Sequence, residues 1–148
     1  DAMGSVQLPV YLLPGNHDKD WTQPAVAGAF IVEPPICVLK IDLQKIVVSH
    51  YPMVDCLGLS HGGWHLHGHI HSCGGVYNKF NLRQGLLRYD VGVDANGYAP
   101  VSLEELKSWF AQVEEPVCCV KWPWWVNATD DEQVERDLEA YKREVVIR

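Results

Sequence analysis

The sequence predicts an α/β domain in which a mixed β-sheet is covered by helices. Three observations predict it: short apolar runs that end in Pro, Gly or Asn turns, two stripes of helical period each opened by a capping residue, and a length suited to one core. The chain has 148 residues, 47% of them hydrophobic and 21% charged, a composition that can bury a core and excludes a disordered tail.

Taken in order, residues 7–13 form an apolar run that ends in Pro14-Gly15 and read as a buried strand entering a turn. Residues 29–32 and 36–42 read as two strands separated by Glu33-Pro34-Pro35, and 45–50 ("KIVVSH") as a further strand stopped by Tyr51-Pro52. Residues 42–45 would then be a tight hairpin connection. A glycine-rich loop over 53–63 leads to a strand at 64–66 and on to Gly68-His69-Ile70-His71, and residues 86–93 form another strand candidate before an Asn96-Gly97 turn. No element is assigned between His71 and Leu86.

Two helices are better marked. Ser102 and Glu105 have capping-box spacing, and Leu103, Leu106, Phe110 and Val113 recur at helical period, which predicts a helix over 102–114. Thr129 with Glu132 repeats the device, and Val134, Leu138, Tyr141 and Val145 extend a stripe over a helix at 130–144. Between them, 117–126 is an apolar strand-like or irregular segment whose Trp122, Trp124 and Trp125 serve core packing, a subunit interface or, less simply, a stacking surface. The opening "DAMGS" has the look of a cloning scar, which places the domain at residues 6–148.

The bulk numbers limit function. A net charge of −7 disfavours non-specific nucleic-acid binding, which needs basic surface to displace counterions. No apolar run reaches the roughly 20 residues of a membrane span, and no secretory signal pattern opens the chain, so no membrane partner and a cytoplasmic location are the expectations. Five cysteines without framework spacing or a CxxC pair read as reduced thiols. The adjacent Cys118 and Cys119 read first as small packed hydrophobes and second as a redox or metal-sensing pair.

The unusual polar residues fall where strands stop: Asn16, His17 and Asp18, then His50, then His69 and His71. The ends of neighbouring strands share a rim in α/β sheets, so residues distant in sequence can meet there. In extended backbone the two imidazoles of Gly68-His69-Ile70-His71 would point to one side. Each piece alone has a simpler explanation, since Asn and Asp are good turn residues and a single His is commonly just hydrogen-bonded. Together, one amide oxygen and three imidazoles form a donor set for Mn, Fe, Zn or Ni rather than Ca.

"GNHD", "SHYP" and "GHIH", in that order, followed by "YDVGVDANGYAPVSLEEL", resemble the later metal motifs and closing elements of the calcineurin-like metallophosphoesterases, in particular their small phage and bacterial branch. The likeness extends over most of residues 6–110. It implies a calcineurin-like αββα sandwich of mixed sheets and divalent-metal-dependent hydrolysis of a phosphomonoester or phosphodiester, with manganese foremost. Carried over by position, it implies that Asn16, His50 and His69 hold one metal ion and His71 belongs to a second. His17 would be the acid or oxyanion-stabilising group, and Asp18 would orient it.

Members of that family begin with DxH and GD motifs, which do not precede "GNHD" here. The expectation is therefore a C-terminal portion, incomplete at its N-terminus, that holds one ion or none by itself and self-associates or domain-swaps through exposed sheet edge. Three readings follow: a phosphoesterase, a metal-binding or regulatory remnant without turnover, and a structural interaction domain. His65 and His67 read as strand side chains or as groups that orient ligands.

Overall fold

A short parallel ladder and a four-stranded sheet place the ends of three strands side by side. The computed structural model describes residues 8–18, 28–72, 75–114 and 116–117, which belong to the compact unit Asp1–Cys118. The expected cloning scar, the helix over 130–144, Cys118 and Cys119, and Trp122, Trp124 and Trp125 lie outside the described residues. Among the described residues no helix is long and apolar enough to cross a membrane.

Strand β1 (Tyr11–Leu12) pairs in parallel with β2 (Ile31–Val32), so each of the two expected strands at 7–13 and 29–32 is reduced to a two-residue ladder. The larger sheet has the order β3 (Ile36–Ile41), β4 (Gln44–Ser49), β5 (Trp64–His67), β6 (Arg88–Asp90). β3 and β4 are antiparallel, whereas β4, β5 and β6 run parallel. The mixed α/β class follows from these pairings.

The β3–β4 hairpin turns on Asp42 and Leu43, both with positive φ (51° and 69°), as a tight turn matched to strand twist requires. A leucine is strained in that region. Asp42 is tied to the second helix by a 2.9 Å salt bridge from Lys107 Nζ.

Strand registers assign every side chain to a face. Ile46 and Val48, Trp64 and Leu66, and Tyr89 share one face. There they form the core with Leu59 and Leu87 and with Leu106 and Phe110 of the second helix. The Phe110 ring lies 4.7 Å from that of Trp64, centroid to centroid. Val47, Ser49, His65, His67, Arg88 and Asp90 occupy the other face.

Two helices flank the sheet. Helix α1 (Val76–Arg83) occupies a stretch to which the sequence assigned no element. Its pattern is inverted: Asn78 and Asn81 are buried while Val76 and Phe80 are exposed, so apolar periodicity has nothing to find. The Asn78 amide replaces a strand neighbour, accepting from Asp90 N–H (2.7 Å) and donating to Asp90 C=O (3.0 Å). Helix α2 (Leu103–Phe110) begins at Ser102 with both halves of the expected capping box. It is shorter than the expected 102–114, because Gln112 and Val113 donate to Trp109 and Phe110 in i→i+3 turns rather than continuing the helix.

Candidate metal centre

The Pro14-Gly15-Asn16-His17-Asp18 segment follows β1 and is closed by its own backbone and carboxylate. Gly15 N–H donates to Asp18 Oδ2 at 2.7 Å, and Asp18 N–H donates to Gly15 C=O at 3.3 Å. Gly15 lies directly against the His50 ring, where a Cβ would stand 2.6 Å from Cε1, so a side chain at this position would push the imidazole away. His50 follows β4, and His69 follows β5 across Gly68, whose N–H donates to the His50 carbonyl at 3.1 Å. Three strand ends are thereby drawn together.

Their side chains form a small triangle. Asn16 Oδ1 is 2.6 Å from His50 Nε2 and 3.1 Å from His69 Nδ1, and the two ring nitrogens are 3.1 Å apart. Hydrogen bonds do not account for all three edges. The amide oxygen has no proton, and each ring nitrogen carries at most one. If both imidazoles donate to Asn16, the two nitrogens face each other proton to proton; if one donates to the other, a contact with Asn16 is left without a proton.

A cation removes the conflict, because every corner then supplies a lone pair. Two donors about 2.1 Å from a common ion and at right angles are about 3.0 Å apart, close to the observed edges. The donor types also fit, being a hard amide oxygen and two borderline imidazoles. Burial, and then the adjacent His69 imidazole, hold the pKa of His50 below its ordinary value, which favours the neutral ring that a metal binds. Among the described residues no three His, Cys, Asp or Glu side chains converge, and it is an amide that completes this set.

The sequence reading of "GHIH" as extended backbone is corrected here. His69 and His71 both have positive φ (71° and 48°), so the alternation ends at Gly68 and the two imidazoles do not share a side by strand geometry. His69 joins the triangle. His71 Nδ1 instead lies 2.6 Å from Asp94 Oδ2, in the one-turn 3₁₀ helix Val93–Asn96 after β6, and this hydrogen bond holds the Asp94 carboxyl below its usual range. Asp18 was expected to orient His17, yet the partner its Oδ2 takes is the Gly15 amide. His17 itself is exposed on the same turn, near enough for its charge to disfavour protonation of His50.

Several residues that shape the site were not singled out from sequence. Tyr51 packs edge-on to His50 and His69, with centroids at 4.8 and 4.4 Å. Asp94 fixes the His71 ring through its Nδ1. Asp90, fully buried, accepts from Ser72 Oγ (2.5 Å), Ser72 N–H (3.3 Å) and Gly92 N–H (2.9 Å), fixing the chain just beyond His71. Asp94 had a usable signal, since it too follows a strand and is set off by glycines. Asp90 had none, because its partners Ser72 and Asn78 come from segments more than ten residues away.

Searched against protein-family models, curated proteins and solved structures, the chain matches nothing in any of the three.

Proposed function

We propose that this chain carries a divalent-metal site of a calcineurin-like metallophosphoesterase, acting on phosphomonoesters or phosphodiesters. The single observation that carries the reading is the convergence of Asn16 Oδ1, His50 Nε2 and His69 Nδ1 within 2.6–3.1 Å of one another. These three would hold the ion, with manganese the first candidate and iron, zinc or nickel the others. A divalent cation there would supply Lewis-acid polarisation of a phosphoryl oxygen and a lowered pKa for water.

The chain's own groups complete the chemistry. Neutral imidazoles and an amide leave the cation's charge uncancelled, so an anionic phosphoester is attracted despite the net charge of −7. His17, exposed beside Asn16, is the group we assign to protonate the leaving oxygen, because an imidazole can carry a proton to a departing alkoxide. Asp18 holds the turn that presents it. His71, whose Nδ1 is bonded to Asp94, is the residue the resemblance assigns to a second ion. Hydrolysis of bis-p-nitrophenyl phosphate, stimulated by Mn²⁺ and lost in His50→Ala, is the expected result; Mn²⁺-independent turnover unaffected by that change would overturn the proposal.

A second reading, a metal-binding module without turnover, is favoured by one specific observation. Asn16, His50 and His69 converge on one position, whereas His71 alone is assigned to a second ion, and a single imidazole does not fix one. About one bound ion per chain with no hydrolysis would select this reading.

A further inference from the structure

We infer that His65, outside the triangle, is a positioning residue for it, holding the segment that carries His50; the inference rests on the metal-site reading above. His65 lies in β5 and is 1% exposed. Its Nδ1 is 3.3 Å from the Val47 carbonyl, which can only accept, so this nitrogen bears the proton. Nε2 is then a bare lone pair, and it accepts the Met53 N–H at 3.0 Å. One tautomer satisfies both bonds.

The two bonds join parts of the chain that bracket His50. Val47 belongs to β4, which ends at Ser49, and Met53 comes three residues after His50. Within this bracket Ser49 Oγ donates to the Tyr51 carbonyl at 2.6 Å, and the Tyr51 ring rests on both His50 and His69. The imidazole of His65 thus fastens the outgoing chain to the strand it has left and keeps the 50–53 turn from relaxing outward. A coordination triangle tolerates displacements of only about 0.5 Å, so losing this fastening should be felt as lost metal affinity. A Leu at position 65 fills space yet leaves the Met53 N–H without its acceptor. A Gln offers an amide oxygen to Met53 and an N–H to Val47.

The test uses the full chain and Mn²⁺ alone. In wild-type protein the Met53 amide should be protected from hydrogen exchange, and an unprotected Met53 amide overturns the inference before any variant is made. His65→Leu should weaken Mn²⁺ binding about 10–100-fold in calorimetry. His65→Gln should recover most of that loss, a rescue that a purely space-filling role would not produce. Equal Mn²⁺ affinity in wild type and His65→Leu overturns this inference and leaves the metal site standing. Absence of Mn²⁺ binding by the wild-type chain overturns the metal site, and this inference with it.

Discussion

The two faces of the four-stranded sheet are written by one alternating sequence and carry opposite chemistry. In β5, Trp64 and Leu66 point into the core beneath α2, whereas His65 and His67 point to the side where Met53 and Tyr77 of α1 meet them. Both imidazoles are essentially as buried as the leucine and the tryptophan. The first face is stabilised by area removed from water, a non-directional effect that tolerates variation in shape. The second is held by hydrogen bonds that must each be met: His67 offers Nδ1 to the Gly68 carbonyl and Nε2 to Tyr77 Oη, and His65 joins Val47 to Met53. Directional bonds place the strand ends carrying His50 and His69, so the apolar face serves stability and the polar face serves the site.

The largest effect should come from breaking the apolar face. Phe110→Ala removes a ring packed on Trp64 and Tyr89 and should cost about 3–5 kcal/mol in denaturant unfolding, while Mn²⁺ affinity of the molecules that remain folded is unchanged. On the polar face, Asn78→Ala strands the buried Asp90 N–H and should cost about 2 kcal/mol.

Acid should separate the faces as well. Burial pushes the pKa of His65 down to about 4 from 6.5, and lowers that of His67 in the same direction. Between those values the unfolded chain binds a proton that the folded chain refuses, so stability is complete above pH 6.5 and falls as the pH drops toward 4. The slope is at most about 1.4 kcal/mol per pH unit for His65. Urea midpoints measured across that window should show the loss, and it should shrink in His65→Gln; a flat profile would mean that the imidazoles are not buried. The smallest effect concerns neither face. Leu43→Gly in the hairpin relieves a positive-φ leucine and should stabilise by about 0.5 kcal/mol in thermal unfolding.

How much of this was legible depends on which force acts. The β3–β4 hairpin, the alternation of Trp64-His65-Leu66-His67 and the capping box at Ser102 follow from local pattern, and the structure has all three. Helix α1 did not follow, because the residues it buries are asparagines, one of which, Asn78, completes the Asp90 backbone in place of a strand. The meeting of Asn16, His50 and His69 was readable from their places at strand ends. The departure of His71 toward Asp94 was not, since two positive-φ residues end the alternation and nothing in "GHIH" announces them. The roles of Gly15, which gives the His50 ring room, and of Asp18, which closes its own turn, are likewise long-range or backbone effects.

The most direct measurement loads the chain with Cu²⁺ and counts coordinated imidazoles by pulsed EPR. Two histidine rings are expected in wild-type protein, and one in either His50→Ala or His69→Ala. A spectrum without imidazole nitrogen, or one that keeps both rings when His50 is removed, would contradict the convergence of these strand ends on a single cation.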